Sequence, residues 1–589
     1  MAQNSDTLEA LQPTLEEIQH WTGVMGRAQQ LILEYAAKQS LQAPASPPKL
    51  PDFSALWTAP QAMTFDTDKL AQAQADFWSE SLTLWQRFLA PHSAPPARDN
   101  TDRRFSAPQW RDLPLFDLIR QSYQILSEHM LRSVEAIGGL HPKQQEQLRF
   151  ATRSFVEAMS PSNFVATNPQ ALEKIITSRG ESLLRGMENL LADLDRGQLT
   201  HSNRAAFQVG RDLAATPGKV IHETPLYQLI QYSPTTKDVA KIPLVIFPPW
   251  INRFYILDLK PEKSFVRWAV AEGLSVFMVS WKSADASIAH VTLDDYVAAQ
   301  IDAIDTIRDA LGVDSVHAIG YCVAGTTLAT TLAYLTARDE AAKVATATFF
   351  TAQVDFADAG DLTLFVDDAQ LDLAAGLAGD KGYLDGRYMA ATFNLLRGKD
   401  LIWNYVVQNY LMGEDHPAFD LLHWNGDVTN LPASWHQAYL RDLYRDNLLA
   451  RPGALSVMGV PIDLSRVLTP AYVQAGREDH IAPPQSVWKI TEHFRGPLRF
   501  VLAGSGHIAG VVNPPASGKY QYWTSEAPAT TLDQFVAAAK ETKGSWWPHW
   551  RAWIAERGGG SVPASRARIP GKGKHKAIED APGRYVIQR

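Results

Sequence analysis

Cysteine is nearly missing from this chain: one residue, Cys322, in 589. No disulfide can close within the chain, which fits a reducing cytoplasm. No uninterrupted apolar run reaches the ~20 residues of a membrane span. The opening stretch, MAQNSDTLEALQPTLEEIQ, is acidic and lacks the apolar centre of a signal peptide. A strong charge excess is missing as well: the net charge of −8 comes from dispersed acidic residues and offers no nucleic-acid surface. The histidines are scattered without metal-ligand spacing, and there is neither an H-E-x-x-H motif nor a Walker-type phosphate loop. The expectation is a soluble cytoplasmic protein without metal, separate cofactor, nucleic-acid partner or membrane span.

What is present is ordinary globular material, 46% apolar and 20% charged, in a chain long enough for two domains. Residues 1–214 read as a helical N-terminal domain broken by proline-rich loops such as LQAPASPPKLP and APHSAPPARDN. Between those loops Trp78, Leu82, Trp85 and Leu89 recur at helical spacing, widened by Phe77, Leu84 and Phe88. Core or inter-domain packing is the expected role of this stripe, with a docking face as the alternative.

From about residue 215 the pattern changes. LYQLIQYS, PLVIFPP, LSVFMVSW, VHAIGY, TATFFT, AYVQAG and LRFVLAG are short, apolar and rich in β-branched or aromatic residues. Helical periodicity follows several of them, most clearly in the stripe Val297, Ile301, Ile304, Ile307 and Leu311. Buried strands alternating with amphipathic helices predict an α/β domain over 215–589, with a mostly parallel sheet covered on both faces. Residues of about 360–465 interrupt the alternation with helical pattern alone, and an insertion of that kind reads as a lid. The basic stretch SRARIPGKGKHKAIED reads as a solvated, flexible end.

Cys322 sits in Gly320-Tyr321-Cys322-Val323-Ala324-Gly325, between the strand-like VHAI and the helix-like TTLATTLAYLTARD. Strand, tight turn and helix in that order make a nucleophile elbow, whose strained turn needs small neighbours and lifts the nucleophile to a helix N-terminus. A buried structural cysteine is the competing reading. In an α/β-hydrolase fold the acid and then the histidine follow on loops after late strands. Asp479 follows AYVQAG and His507 follows LRFVLAG, which makes Asp479 the candidate acid and His507 the candidate base. The oxyanion hole takes the Val323 N–H and one donor from PPWIN after an early strand. Pro248 and Pro249 have no N–H, so that donor is Trp250, Ile251 or Asn252. Ile251 is assigned to the hole, and Trp250, Asn252 and His480 to the substrate-lining wall.

These stretches, together with VSWKSADAS, LIWNYVVQNYL, FDLLHWNGDVTNLP, GSGHIAGVVNPP, GSWWPHW and the N-terminal DRRFSAPQW, MSPSNFVATNP and GESLLRGMENLL, resemble polyhydroxyalkanoate synthases. The match runs from about residue 100, so the first ~100 residues are the variable part, and APGRYV resembles class I. The resemblance implies polymerisation of (R)-3-hydroxyacyl-CoA, typically 3-hydroxybutyryl-CoA, into a polyester with release of CoA. It implies Cys322 as acyl-bearing nucleophile, Asp479 as acid, His507 as base, a homodimer, and association with cytoplasmic polyester granules. One departure is Ala324-Gly325, where many members carry two glycines. A lid rich in Trp403, Tyr405, Tyr410 and Trp424 is expected to keep water out. A thioesterase or depolymerase on the same fold, and a noncatalytic granule-coating protein, are the rival readings.

Overall fold

The computed structural model describes residues 14–41, 63–90 and 101–588. The chain divides into two compact units, at a boundary a little before the expected one. One combines the described residues up to Asn203 with Ala391–Pro417; the other holds Arg204–Ala390 and Ala418–Arg589.

The first unit is helical, as expected. Its longer helices are α1 (Leu15–Leu41), α2 (Thr67–Leu89), α3 (Pro114–Glu135), α4 (Pro142–Ala158) and α5 (Glu181–Arg196). Asp66 caps α2 by accepting from the Lys69 N–H, which satisfies one of the orphan donors of the first turn. The aromatic stripe of α2 faces the other way from the expectation of core. Trp78, Leu82, Trp85, Phe88 and Leu89 are exposed, while Ala73 and Leu84 are the buried positions.

The expected lid is not one body. Ala391–Pro417 packs with the helical unit, where the Tyr410 hydroxyl donates to Asp193 (2.7 Å) and His201 Nε2 meets the Leu401 carbonyl (2.7 Å). Tyr405 stacks edge-on against His201. Helical periodicity shows which face is apolar but not which neighbour will cover it.

The second unit is built on an eleven-stranded sheet. Its strands are β1 (Gly218–Glu223), β2 (Tyr227–Tyr232), β3 (Leu244–Phe247), β4 (Val276–Trp281), β5 (Val316–Tyr321), β6 (Val344–Phe350), β7 (Ala471–Gly476), β8 (Leu498–Ala503), β9 (Gln521–Thr524), β10 (Lys540–Lys543) and β11 (Glu579–Asp580). They lie in the order β10-β9-β8-β7-β6-β5-β3-β4-β2-β1-β11. The six central strands, β3 to β8, are parallel; β2, β1 and β11 at one edge and β9 and β10 at the other run antiparallel. Successive strand residues point to opposite faces, so Val245 and Phe247 enter one core while Leu244 and Ile246 enter the other. That is why these strands read as unbroken apolar runs. Helix α6 (Leu293–Leu311) buries Val297, Ile304 and Ile307 against the first core, as its stripe predicts.

The basic stretch near residue 570 is not a free end. Arg568, nearly buried, donates to the carbonyls of Ala240 (3.3 Å) and Lys241 (2.6 Å) and to Ser275 Oγ (3.0 Å), and β11 adds to the sheet beside β1. Arg568→Met removes the charged donor that all three share. It should lower stability by about 2 kcal/mol, read as an earlier urea midpoint; an unchanged midpoint would contradict this packing role.

Candidate active site

All three candidate triad residues lie just past the carboxyl ends of parallel strands. Cys322 is the first residue after β5, whose last residue Tyr321 pairs with Phe350. Asp479 and His507 follow β7 and β8, whose last residues, Gly476 and Ala503, are paired. Three side chains separated widely in sequence therefore meet at one end of the sheet, where open α/β sheets place their sites.

The elbow forms because the residues around Cys322 leave room for it. Cys322 has φ 53° and ψ −128°, a conformation an L-residue rarely adopts and which costs on the order of 1–3 kcal/mol. A Cβ at Gly320 would lie 2.5 Å from Gly325 Cα, and one at Gly325 would lie 2.4 Å from Ala352 Cβ. Helix α7 (Val323–Ala337) and strand β5 thus approach each other only through glycine. The turn is held by the Cys322 N–H donating to the Phe350 carbonyl (2.9 Å), and by Gly325 and Thr326 donating to the Cys322 carbonyl. Ala324 is fully buried, and its carbonyl accepts from Gln300 Nε2 (3.1 Å). The methyl that departs from the two-glycine pattern is accommodated without disturbing the turn.

The thiol has its partners. His507 Nδ1–H donates to Asp479 Oδ2 at 2.7 Å, with the Asp479 side chain fully buried. The other carboxylate oxygen accepts from the backbone N–H groups of Ile481 (2.8 Å) and Ala482 (2.9 Å), which fixes its plane. Burial pulls the His507 imidazolium down, but the Asp479 carboxylate and a charged Cys322 outweigh it and hold the ring up to about 10. The ring is further located by Tyr321, whose hydroxyl donates to the His507 carbonyl (3.1 Å).

The oxyanion candidates separate by their hydrogen bonds. The Val323 N–H opens helix α7, where the first-turn donors have no intrahelical acceptor. The Asn252 N–H is already used, donating to Thr429 Oγ1 at 2.8 Å. Among the described residues the N–H groups of Trp250 and Ile251 make no hydrogen bond. The Trp250 indole, expected to line the substrate wall, instead stacks on Tyr296 (centroids 4.5 Å apart, planes at 27°) inside the core. Trp424 is likewise a strut: its indole N–H donates to the Arg253 carbonyl at 2.6 Å. His480 is half-buried directly after Asp479.

Two residues that sequence reading passed over pack in the same core as Cys322. Tyr439 and Tyr444 meet edge-on, with ring centroids 5.4 Å apart and planes at 76°, in the core against which Cys322 is partly buried. Burial holds both phenols well above their ordinary range, so they remain neutral. Phe356 packs on both rings. Their only trace in the sequence was one more aromatic helix in a run of them. Among the described residues no group of three His, Cys, Asp or Glu comes together to hold a metal ion.

A central parallel sheet, a strained elbow at the end of one strand and an acid–histidine pair at the ends of two later ones define an enzyme of the α/β-hydrolase fold. Residues 247–514 match the family model described as alpha/beta hydrolase fold, and residues 101–269 match poly-beta-hydroxybutyrate polymerase N-terminus. The chain is 43% identical to the poly(3-hydroxyalkanoate) polymerase subunit PhaC of Rhizobium meliloti, over 89% of this chain and 86% of that one. It is 44% identical to the subunit of the same name from Cupriavidus necator, over 88% of each, and 36% identical to poly(3-hydroxyalkanoate) polymerase 2 of Ectopseudomonas oleovorans, over 83% and 87%. The chain belongs to the poly(3-hydroxyalkanoate) polymerase family.

The carboxylate's hold on His507 can be titrated. In the unaltered protein the ring should keep its proton well above neutrality and release it near pH 10. In Asp479→Asn the midpoint should drop toward the ordinary value of about 6.5. NMR titration of labelled imidazole reads both, and equal midpoints would contradict the pairing.

Proposed function

We propose that this chain polymerises (R)-3-hydroxyacyl-CoA, with 3-hydroxybutyryl and other short units as substrates, into polyester through an acyl thioester on Cys322. The meeting of Cys322, His507 and Asp479 at one end of the sheet, in a chain of this family, is the observation that carries the reading.

The chemistry follows from the groups in place. The Cys322 proton rests on His507, on the ring nitrogen not bonded to Asp479, and the thiolate sulfur attacks the thioester carbonyl. The carbonyl oxygen becomes an oxyanion, met by the N–H groups of Val323 and Ile251. Collapse of the tetrahedral intermediate breaks the bond to CoA sulfur; CoA leaves as its thiol, taking the proton from His507. Exchange of one thioester for another is nearly thermoneutral, so the acyl group stays activated. A hydroxyl from a second substrate or from the growing chain then gives its proton to His507 and attacks. An ester forms, and Cys322 leaves as the thiolate beside the protonated ring, which restores the starting pair. Aspartate keeps the ring aligned and its charged form stable throughout.

Water in place of the hydroxyl would release free acid. Trp435, Tyr439 and Phe356, all buried and joined to Tyr444 in one aromatic cluster, are the groups suited to exclude it. Cysteine in place of serine favours this transfer over hydrolysis as the principal reaction. In the same proposal the chain acts as a homodimer in the cytoplasm at the surface of the polyester granule. No described helix is long and apolar enough to cross a membrane.

Purified protein given (R)-3-hydroxybutyryl-CoA should release CoA in step with insoluble polymer, and Cys322→Ala should abolish both. CoA release with only soluble hydroxy acid would instead establish a thioesterase.

A further inference from the structure

The structure assigns to Thr429 a role that its place in a helical insertion does not suggest: its hydroxyl sets the direction of the Ile251 N–H as the second oxyanion donor. The inference rests on the acyl-transfer reading above.

Strand β3 lies beside the nucleophile strand β5, with Phe247 paired to Gly320. The segment from Pro248 to Ile251 therefore runs on past β3 at the end of the sheet where Cys322 follows β5. Ile251 and Cys322 are both partly buried against the same core. Thr429 is 5% exposed and binds this loop twice. Its hydroxyl donates to the Trp250 carbonyl at 2.8 Å and accepts from the Asn252 N–H at 2.8 Å.

The Trp250 carbonyl and the Ile251 N–H belong to one peptide unit, which is trans and planar, so they point in opposite directions. Fixing the carbonyl on Thr429 aims the Ile251 N–H directly away from Thr429, where it has no acceptor among the described residues. The second bond holds Asn252 at φ 67°, a conformation a non-glycine residue keeps only under constraint. Among the described residues no hydrogen bond fixes the Pro249 carbonyl, so of the two unbonded donors only Ile251 has its direction set.

The rest of the loop is anchored in the same manner. Arg253, 2% exposed, pairs with Asp427 (3.3 Å) and donates to the carbonyls of Tyr585 (3.1 Å) and Gln588 (2.7 Å). Tyr255 donates to Asp427 (2.7 Å), and Trp424 to the Arg253 carbonyl. The segment 424–429 thus grips the loop along its length, and Thr429 is the grip at the donor itself. Thr429 touches no reacting atom; it is a positioning residue.

The test compares Thr429→Val, which keeps the shape and deletes the hydroxyl, with Thr429→Ser, which restores the hydroxyl alone. Turnover is measured as CoA release from (R)-3-hydroxybutyryl-CoA, and thiol reactivity as the rate of iodoacetamide alkylation at the single cysteine. Alkylation at saturated carbon develops no oxyanion, so it reports the Cys322–His507 pair without the hole. Thr429→Val should lose about 10- to 10²-fold in kcat, less than the ~10²–10³-fold that deletion of a whole donor causes. Its KM and alkylation rate should stay unchanged, and Thr429→Ser should recover most of kcat. Wild-type turnover in Thr429→Val would overturn the assignment. So would an alkylation rate that falls with kcat, or a Thr429→Ser as impaired as the valine variant. A Cys322→Ala protein that still releases CoA would instead overturn the acyl-transfer reading beneath it.

Discussion

Cys322 occupies a backbone conformation that no ordinary strand or helix contains, and the surrounding end of the sheet is arranged to keep it there. The strain is local, at φ 53°, and is sustained by Phe350 and by the first turn of α7. It is also sustained by what is missing, since neither Gly320 nor Gly325 has room for a methyl group. The strained turn puts sulfur above the sheet and the Val323 N–H beside it. It can do so because β5 is central, with β3 and β6 paired along it on both sides. A cysteine in a more relaxed turn would lose the N–H, the exposure and the approach of His507 together.

The electrostatics extend that constraint outward. Asp479 is a buried carboxylate with an imidazole on one oxygen and two backbone donors on the other. A buried charge satisfied in this way costs far less than an isolated one, and it keeps the neighbouring ring positively charged far beyond the range of a free histidine. The two phenols in the same core as Cys322 remain neutral because burial opposes their ionisation. The site thus combines one mobile proton with neighbouring phenols that do not compete for it, as the proposed acyl transfer between sulfur and oxygen requires.

The central fold and the meeting of Cys322, Asp479 and His507 at one end of the sheet were legible because both depend on local chemistry. Doubly buried parallel strands must be continuous apolar runs, and an elbow must bring glycines around its nucleophile. The edges were not legible: β10 is Lys-Glu-Thr-Lys, charged as an exposed edge strand tends to be, and β11 is two acidic residues inside a basic stretch. The sequence pattern puts Trp403, Tyr405 and Tyr410 in a lid, whereas their segment packs with the helical unit, because periodicity reveals an apolar face and not its neighbour. Trp250 looked like a substrate wall and is a stacked core residue. Thr429 was unreadable for a different reason: a lone threonine carries no pattern, and its importance arises only where its hydroxyl meets a peptide plane many residues away.

The central claim is that the acyl group passes through sulfur. Rapid acid quench of the enzyme during turnover of (R)-3-hydroxybutyryl-CoA, followed by digestion and mass analysis of the peptide containing Cys322, tests it most directly. The account predicts 3-hydroxybutyryl or its oligomers attached at Cys322, and removed by neutral hydroxylamine. Rapid CoA release with that peptide unmodified, or with the acyl group on another residue, would contradict it.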